Sequence, residues 1–221
     1  MPARGRRITA PRLTAVRLPE LTDATEDDLH GTDHYEALRF TGTDLGERDL
    51  TGADFVDCEF RDVQAGEARL RATRFSESRF ERLTAPSLSA ARSGWSDVHL
   101  TDSRLGAAEL CDADLRAVQV RDSRLMFVNL RSARLRDVSF SGCTIDELDL
   151  TDARADRVAF DNCTVQTLRL DHAVLGDVDL RGLELAGVSG VETMRGAAIS
   201  TTQAVDLAPL FARHLGVTVV D

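Results

Sequence analysis

Five histidines and four cysteines are the residues of this chain best suited to metal ligation, proton transfer or nucleophilic attack. His30, His34, His99, His172 and His214 carry no metal-ligand motif, and the chain has neither a glycine-rich phosphate loop nor a nucleophile elbow. The expectation is a protein that is not an enzyme, with no catalytic residue, cofactor or metal. What remains is charge chemistry. Asp and Glu number 37 against 27 basic residues, all of them arginine, for a net charge of −10.

The elements that must position those charges follow from one spacing. In "TGTDLGERDLTGADFVDCEF", Leu45, Leu50, Phe55 and Phe60 recur every fifth residue. Five residues turn a helix through about 500°, so each apolar group moves about 140° around the axis and no face forms. A flat strand sends Leu45 and Leu50 to opposite sides. The spacing works if the chain runs extended for about three residues, turns a corner and repeats, so that every centre points inward.

From Phe40 to Leu185 in steps of five, all thirty positions are apolar, and only Ala65, Ala85, Ala90 and Ala155 are small. At 43% apolar composition chance gives about one in 10^11. Two residues before each centre lies a second inward position, usually small, as at Ala53, Cys58, Ala108 and Ala133. Four corners close a coil in twenty residues. Stacked coils then pair backbone to backbone at about 4.8 Å and place Phe40, Phe60, Phe80, Phe140 and Phe160 on one side, with Leu100 and Val120 between them.

Local features qualify this pattern. Arg48 occupies an inward small position. Pro86, between the small centres Ala85 and Ala90, predicts a local bend, with Trp95 filling the space. Cys58, Cys143 and Cys163 face inward and Cys111 outward. Cys143 and Cys163 stack within disulfide range, but buried free thiols are expected in a reducing compartment.

The two ends read differently. Residues 1–35 form an N-terminal tail and cap, opening basic at Arg4, Arg6, Arg7, Arg12 and Arg17 before "ELTDATEDDL" turns acidic; a flexible tail without nucleic-acid contact is expected. No apolar run suits a membrane span or an export signal, so the expectation is a cytoplasmic protein without a membrane partner. Residues 36–190 form the coil region. After Gly190 the register fails, and residues 191–221 form a C-terminal segment. Ser200 and Gln203 start a helix, Ala204, Leu207, Ala208, Phe211 and Leu215 form its stripe, Pro209 predicts a kink or two short helices, Gly216 stops it, and "VTVV" predicts a short strand.

"TGADF", "CDADL" and "AELCDADLR" resemble the units of the pentapeptide repeat proteins. The resemblance covers about residues 36 to 190 and implies an all-β solenoid, a right-handed quadrilateral β-helix, here with a C-terminal α-helical cap. The terminal "TQAVDLAPLFARHLGVTVV" is similar to that of the mycobacterial family member associated with fluoroquinolone resistance. That similarity implies a homodimer through Leu207, Phe211 and Leu215. It also implies a type II topoisomerase partner, DNA gyrase, modulated or protected by DNA mimicry. The alternative is a structural or scaffolding rod for another protein.

Sorted by side, the outward acids concentrate on the face centred on Leu45, Ala65, Leu125, Ile145 and Leu185. Asp44, Glu47, Glu67, Asp146, Glu147 and Glu184 stand there against Arg104 and Arg124, with Met126 and Phe127 exposed among them. These eight acidic and apolar residues are the expected partner-binding residues. The other sides nearly balance acid with arginine, so the rod is not uniformly anionic.

Overall fold

The computed structural model describes residues 7–219; Arg4, Arg6 and Val220 lie outside the described residues. Through the repeat region, residues twenty apart are parallel ladder partners, as in Phe40↔Phe60↔Phe80, Leu115↔Leu135 and Val165↔Leu185. The chain is a stack of square coils. Its four faces are named here by their first centres, Phe40, Leu45, Leu50 and Phe55. One sheet covers the Phe55 and Phe40 faces, with strands such as Asp114–Arg121 and Arg134–Ser141. The other covers the Leu45 face and turns towards the Leu50 face, with strands such as Arg104–Glu109 and Arg124–Asn129.

The five-residue register is borne out by burial. Every centre from Phe40 to Leu180 except Leu110 is buried, and Leu110 and Leu185 are partly buried against the same core. Phe40, Phe60 and Phe80 stack at 5.2 and 4.6 Å between ring centroids, and Phe140 and Phe160 at 5.0 Å. A second aromatic column, Tyr35, Phe55, Phe75 and Trp95, runs beside the first at 4.8, 5.1 and 4.5 Å, with edge contacts between the two. Trp95 closes that column and donates its indole N–H to Ser93 Oγ at 2.7 Å. The interior is full. The apolar void between Leu45 and Trp95 measures about 10 Å³, at the lower limit for one water.

No break accompanies Pro86. Thr84–Ser89 pairs with Arg104–Glu109 through Leu105↔Ala85 and Ala107↔Ser87. Gly106 makes the passage possible, since a Cβ there would lie 2.2 Å from the Pro86 carbonyl oxygen. The arginine expected inside the coil, Arg48, is instead half-buried, and its guanidinium reaches Asp27 of the N-terminal cap at 3.5 Å. It escapes because it sits near the open end of the stack.

Three of the four corners turn through residues with positive φ. Asp57, Asp97, Asp137 and Asp177 mark one corner, Asp62, Asp102 and Asp122 the next, and Asp112 and Asp152 the third. Aspartate tolerates the left-handed region better than most residues. Part of the acidity of this chain, about a quarter of its carboxylates, therefore follows from corner geometry. At the fourth corner the strand Arg124–Asn129 runs through without a left-handed residue.

The ends are covered by different devices. Thr22–Ala24 pairs with the first coil in a shortened register, Thr22↔Leu38, and Leu29 is buried beside it. Ahead of this cap the segment expected as a flexible tail lies along the edge between the Phe55 and Phe40 faces. Val16 is buried and its carbonyl accepts from Arg79. Thr14 Oγ1 donates to Asp97 at 2.9 Å, and the Arg12 amide donates to Asp137 at 2.9 Å. This strap thus ties together coils far apart along the rod.

At the other end the register shortens to Val178↔Ala197. Helix α1 (Thr201–His214) follows as one continuous helix despite Pro209, which corrects the expected kink. The carbonyl that loses its amide partner belongs to Val205, which is 68% exposed, so water can replace the missing bond. Ser200 and Gln203 form the expected capping box. Gly216, with φ of 72°, stops the helix, as Val217 N donates to Ala212 O and Gly216 N to Arg213 O. Residues 217–219 form no strand.

Candidate interaction surfaces

The Leu45 face carries its expected residues in two groups. Near the N-terminal end, Asp44, Glu47 and Glu67 are exposed, and Asp44 Oδ1 accepts from the Gly46 amide at 2.8 Å. Further along, Met126 is 55% exposed as expected, whereas Phe127, in register between Ala107 and Glu147, is half-buried rather than exposed, because those ladder neighbours cover part of its ring. Ser87 and Ala107 separate this second group from Glu67. Asp146 is half-buried, and Thr164 Oγ1 donates to the exposed Glu184 at 3.5 Å. The fold therefore brings Met126, Phe127, Asp146 and Glu147 together and leaves Asp44, Glu47 and Glu67 apart from them.

Many carboxylates are neutralised between coils. Glu147 accepts from Arg169 at 2.6 Å, which holds the Arg169 guanidinium above its usual pKa range. Glu59 is buried but accepts from Arg39 and Arg61 at 2.8 and 3.0 Å. Arg82 grips Asp62 with two nitrogens at 2.5 and 2.8 Å and depresses its pKa. Among the described residues no buried side-chain nitrogen or oxygen lacks a hydrogen-bond partner. A ladder of Arg–carboxylate pairs repeats with the coil, so the outer surface is a mosaic of charge.

An open groove of about 990 Å³ runs along the edge between the Phe40 and Leu45 faces. Asp62, Arg82, Asp102 and Asp122 line one side and Arg104 and Arg124 the other. The five-residue register places those columns, but sequence reading did not single the groove out. Burial pushes the Cys58 thiol up to about 11. Cys143 N donates to Cys163 Sγ at 3.4 Å, and its hydrogen bond with Cys163 pushes the Cys143 thiol up. All four cysteines are free, and only Cys111 is partly exposed. Among the described residues no group of three or more His, Cys, Asp or Glu side chains could hold a metal ion, and no helix is long and apolar enough to cross a membrane.

At the C-terminal end the helix stripe divides. Leu207 is buried on the last coil, Phe211 is half-buried and Leu215 is 74% exposed. Gln203 was read from sequence only as a helix cap. Its side-chain amide also donates to the carbonyls of Leu180 and Leu183 at 2.7 and 2.6 Å, pinning the helix to the solenoid.

Coils of twenty residues, four inward centres to a turn and parallel ladders on the outside define a quadrilateral β-solenoid. A family model of pentapeptide repeats matches residues 39–81 and 123–162 in eight copies, so those two stretches of the solenoid carry pentapeptide repeats. No curated protein matches it by sequence. Among solved structures it is similar to trypsin-treated QnrB1, a plasmid-mediated fluoroquinolone resistance protein. The identity is 17% over 86% of this chain and 93% of that one, with a TM-score of 0.34. It is also similar to HetL, a pentapeptide repeat protein involved in heterocyst differentiation regulation from the cyanobacterium Nostoc. There the identity is 18% over 72% of this chain and 85% of that one, with a TM-score of 0.29.

Proposed function

We propose that this protein works by binding another protein and catalyses no reaction, and that its most specific partner is a type II topoisomerase, DNA gyrase. The observation that carries the binding reading is the patch on the Leu45 face, where Met126 stands 55% exposed beside Phe127 and Glu147. An exposed methionine backed by a half-buried phenylalanine, with carboxylates beside them, suits a protein surface with an apolar pocket and basic surroundings. The topoisomerase assignment comes from the sequence resemblance to the mycobacterial relative. Contact would be local, because Glu147 is held by Arg169 and the corner aspartates serve the turns.

Gyrase supercoiling with and without fluoroquinolone, in the presence of purified protein, tests the reading. Inhibition or drug protection is expected at micromolar concentration, weakened by reversing Asp146 and Glu147 to arginine and unchanged by Arg71→Ala. No effect on any gyrase would leave the scaffolding rod as the better reading. Helix α1 supports the accompanying proposal of a homodimer, since Val205 and Leu215 remain 68% and 74% exposed on the monomer.

A further inference from the structure

We infer that the Phe55 face, at Arg116, Arg134, Arg136 and Arg154, docks an extended acidic segment of a protein partner. This surface lies across the square from the Met126 patch and does not depend on the topoisomerase reading. Along much of the rod, neighbouring coils set arginine against carboxylate, as in Arg39 with Glu59, Arg61 with Glu81 and Arg157 with Asp137, while an arginine pair, Arg104↔Arg124, stacks on the Leu45 face. Here arginine stacks on arginine in two adjacent columns, Arg116↔Arg136 and Arg134↔Arg154, with Asp114 on the other side of Arg134 but not within ion-pair distance of it. Like charges directly opposite each other on a ladder destabilise it.

All four side chains are exposed. Among the described residues, Arg116, Arg134 and Arg154 have no carboxylate within 4.0 Å, and Arg136 reaches only Asp137, at 3.9 Å. That carboxylate is already held by Arg157 at 2.6 and 2.8 Å and by the Arg12 amide at 2.9 Å. Arg157 also takes Asp156, the ladder partner of Arg136. The docked strap meanwhile brings the exposed Arg12 to the edge of the same cluster. Two basic features remote in sequence thus become one surface.

An extended peptide suits this surface better than nucleic acid. Alternate residues of a strand face one way about 6.4 to 6.8 Å apart, the spacing of Arg134 and Arg136 themselves. Side chains along the neighbouring edge already hold an extended chain by its backbone, at Arg12 N and at the carbonyls of Thr14 and Val16. A hollow of about 250 Å³ at Gly94, between Arg74 and Arg116, continues the surface down the face. Duplex DNA carries a charge about every 1.7 Å, denser than arginines about 4.8 Å apart between coils and about 6.6 Å apart along a strand can match.

The test is fluorescence anisotropy of a labelled eight-residue peptide alternating glutamate and threonine, titrated with the full-length protein at about 25 and 150 mM salt. Binding that weakens with salt and falls tenfold or more in Arg134→Glu/Arg154→Glu and in Arg134→Gln/Arg154→Gln is expected, with Arg71→Glu/Arg92→Glu unchanged. Arg154→Glu alone should raise the melting temperature while weakening the peptide, because it replaces a like-charge stack by an ion pair. Absence of binding at low salt, equal loss in the control pair, or a lowered melting temperature for Arg154→Glu would overturn the inference. Tighter binding of an oligothymidylate of equal charge would overturn it in favour of nucleic acid.

Discussion

His99 shows how one residue can couple the strap to pH. His99 Nε2 lies 3.3 Å from Thr14 O of the strap and 2.8 Å from Gln119 Nε2, which also donates to Thr14 O at 3.4 Å. Burial holds the His99 pKa below the ordinary value against the opposing pull of the Thr14 carbonyl, and Arg79 and Arg121 act with burial while Asp97 acts against it. The undocked ring binds a proton more readily than the docked one. The stabilisation is therefore complete above the undocked pKa of about 6.5 and is lost as pH falls through the lower docked value. Asp137 is depressed chiefly by Arg157, which the strap does not supply, and further by the Arg12 amide; that Arg12 part follows the same sign in a lower window, beginning near the ordinary value of about 3.8. Residues 10–17 should gain backbone mobility between pH 7 and pH 5, by nitrogen-15 relaxation, and gain more below about pH 4. Unchanged relaxation at pH 5 would refute the coupling through His99.

At the scale of elements, the aromatic columns predict unequal costs for equal truncations. Phe60 is 2% exposed and stacks on Phe40 and Phe80, with edge contacts to Phe55 and Phe75. Phe160 stacks on Phe140 alone. Either alanine substitution should cost about 3 to 5 kcal/mol through lost burial and a cavity. Phe60→Ala should fall at the upper end, since each aromatic pair adds about 0.5 to 1.5 kcal/mol. Asp152→Ala, at an exposed corner, should cost far less. Urea denaturation checks the order, and equal losses for Phe60→Ala and Asp152→Ala would mean that the aromatic columns do not carry the stability.

For the whole molecule, the exposed end of helix α1 predicts association. A coil end is only about 10 Å across, whereas a fourteen-residue helix is about 21 Å long. Leu207 is buried while Leu215 is 74% exposed. A second rod related by a two-fold axis would cover that overhang and both open coil ends. Phe211→Asp should convert dimer to monomer in sedimentation by placing an unpaired charge at the interface. A wild type that is monomeric at tens of micromolar would leave helix α1 a lid only.

The spacing of thirty apolar centres from Phe40 to Leu185 was enough to derive the twenty-residue coil, its inward faces and the stacking of Phe60 between Phe40 and Phe80, because a period shared by every coil records one repeated backbone turn. Ser200, Gln203 and Gly216 likewise announced the helix ends, since caps are local. Other features depended on which coils and segments come to lie side by side, and no short stretch of sequence holds that. The tail became a strap because Asp97, Gln119 and Asp137 align along one edge only after stacking. Glu147 lost its free charge to Arg169 of a later coil. Helix α1 stayed whole through Pro209 because its orphaned carbonyl meets water, and Gln203 turned from a cap into an anchor once Leu180 and Leu183 were beneath it. Periodicity fixes contacts that repeat with the coil, whereas contacts made once depend on where the ends of the chain settle on the finished stack.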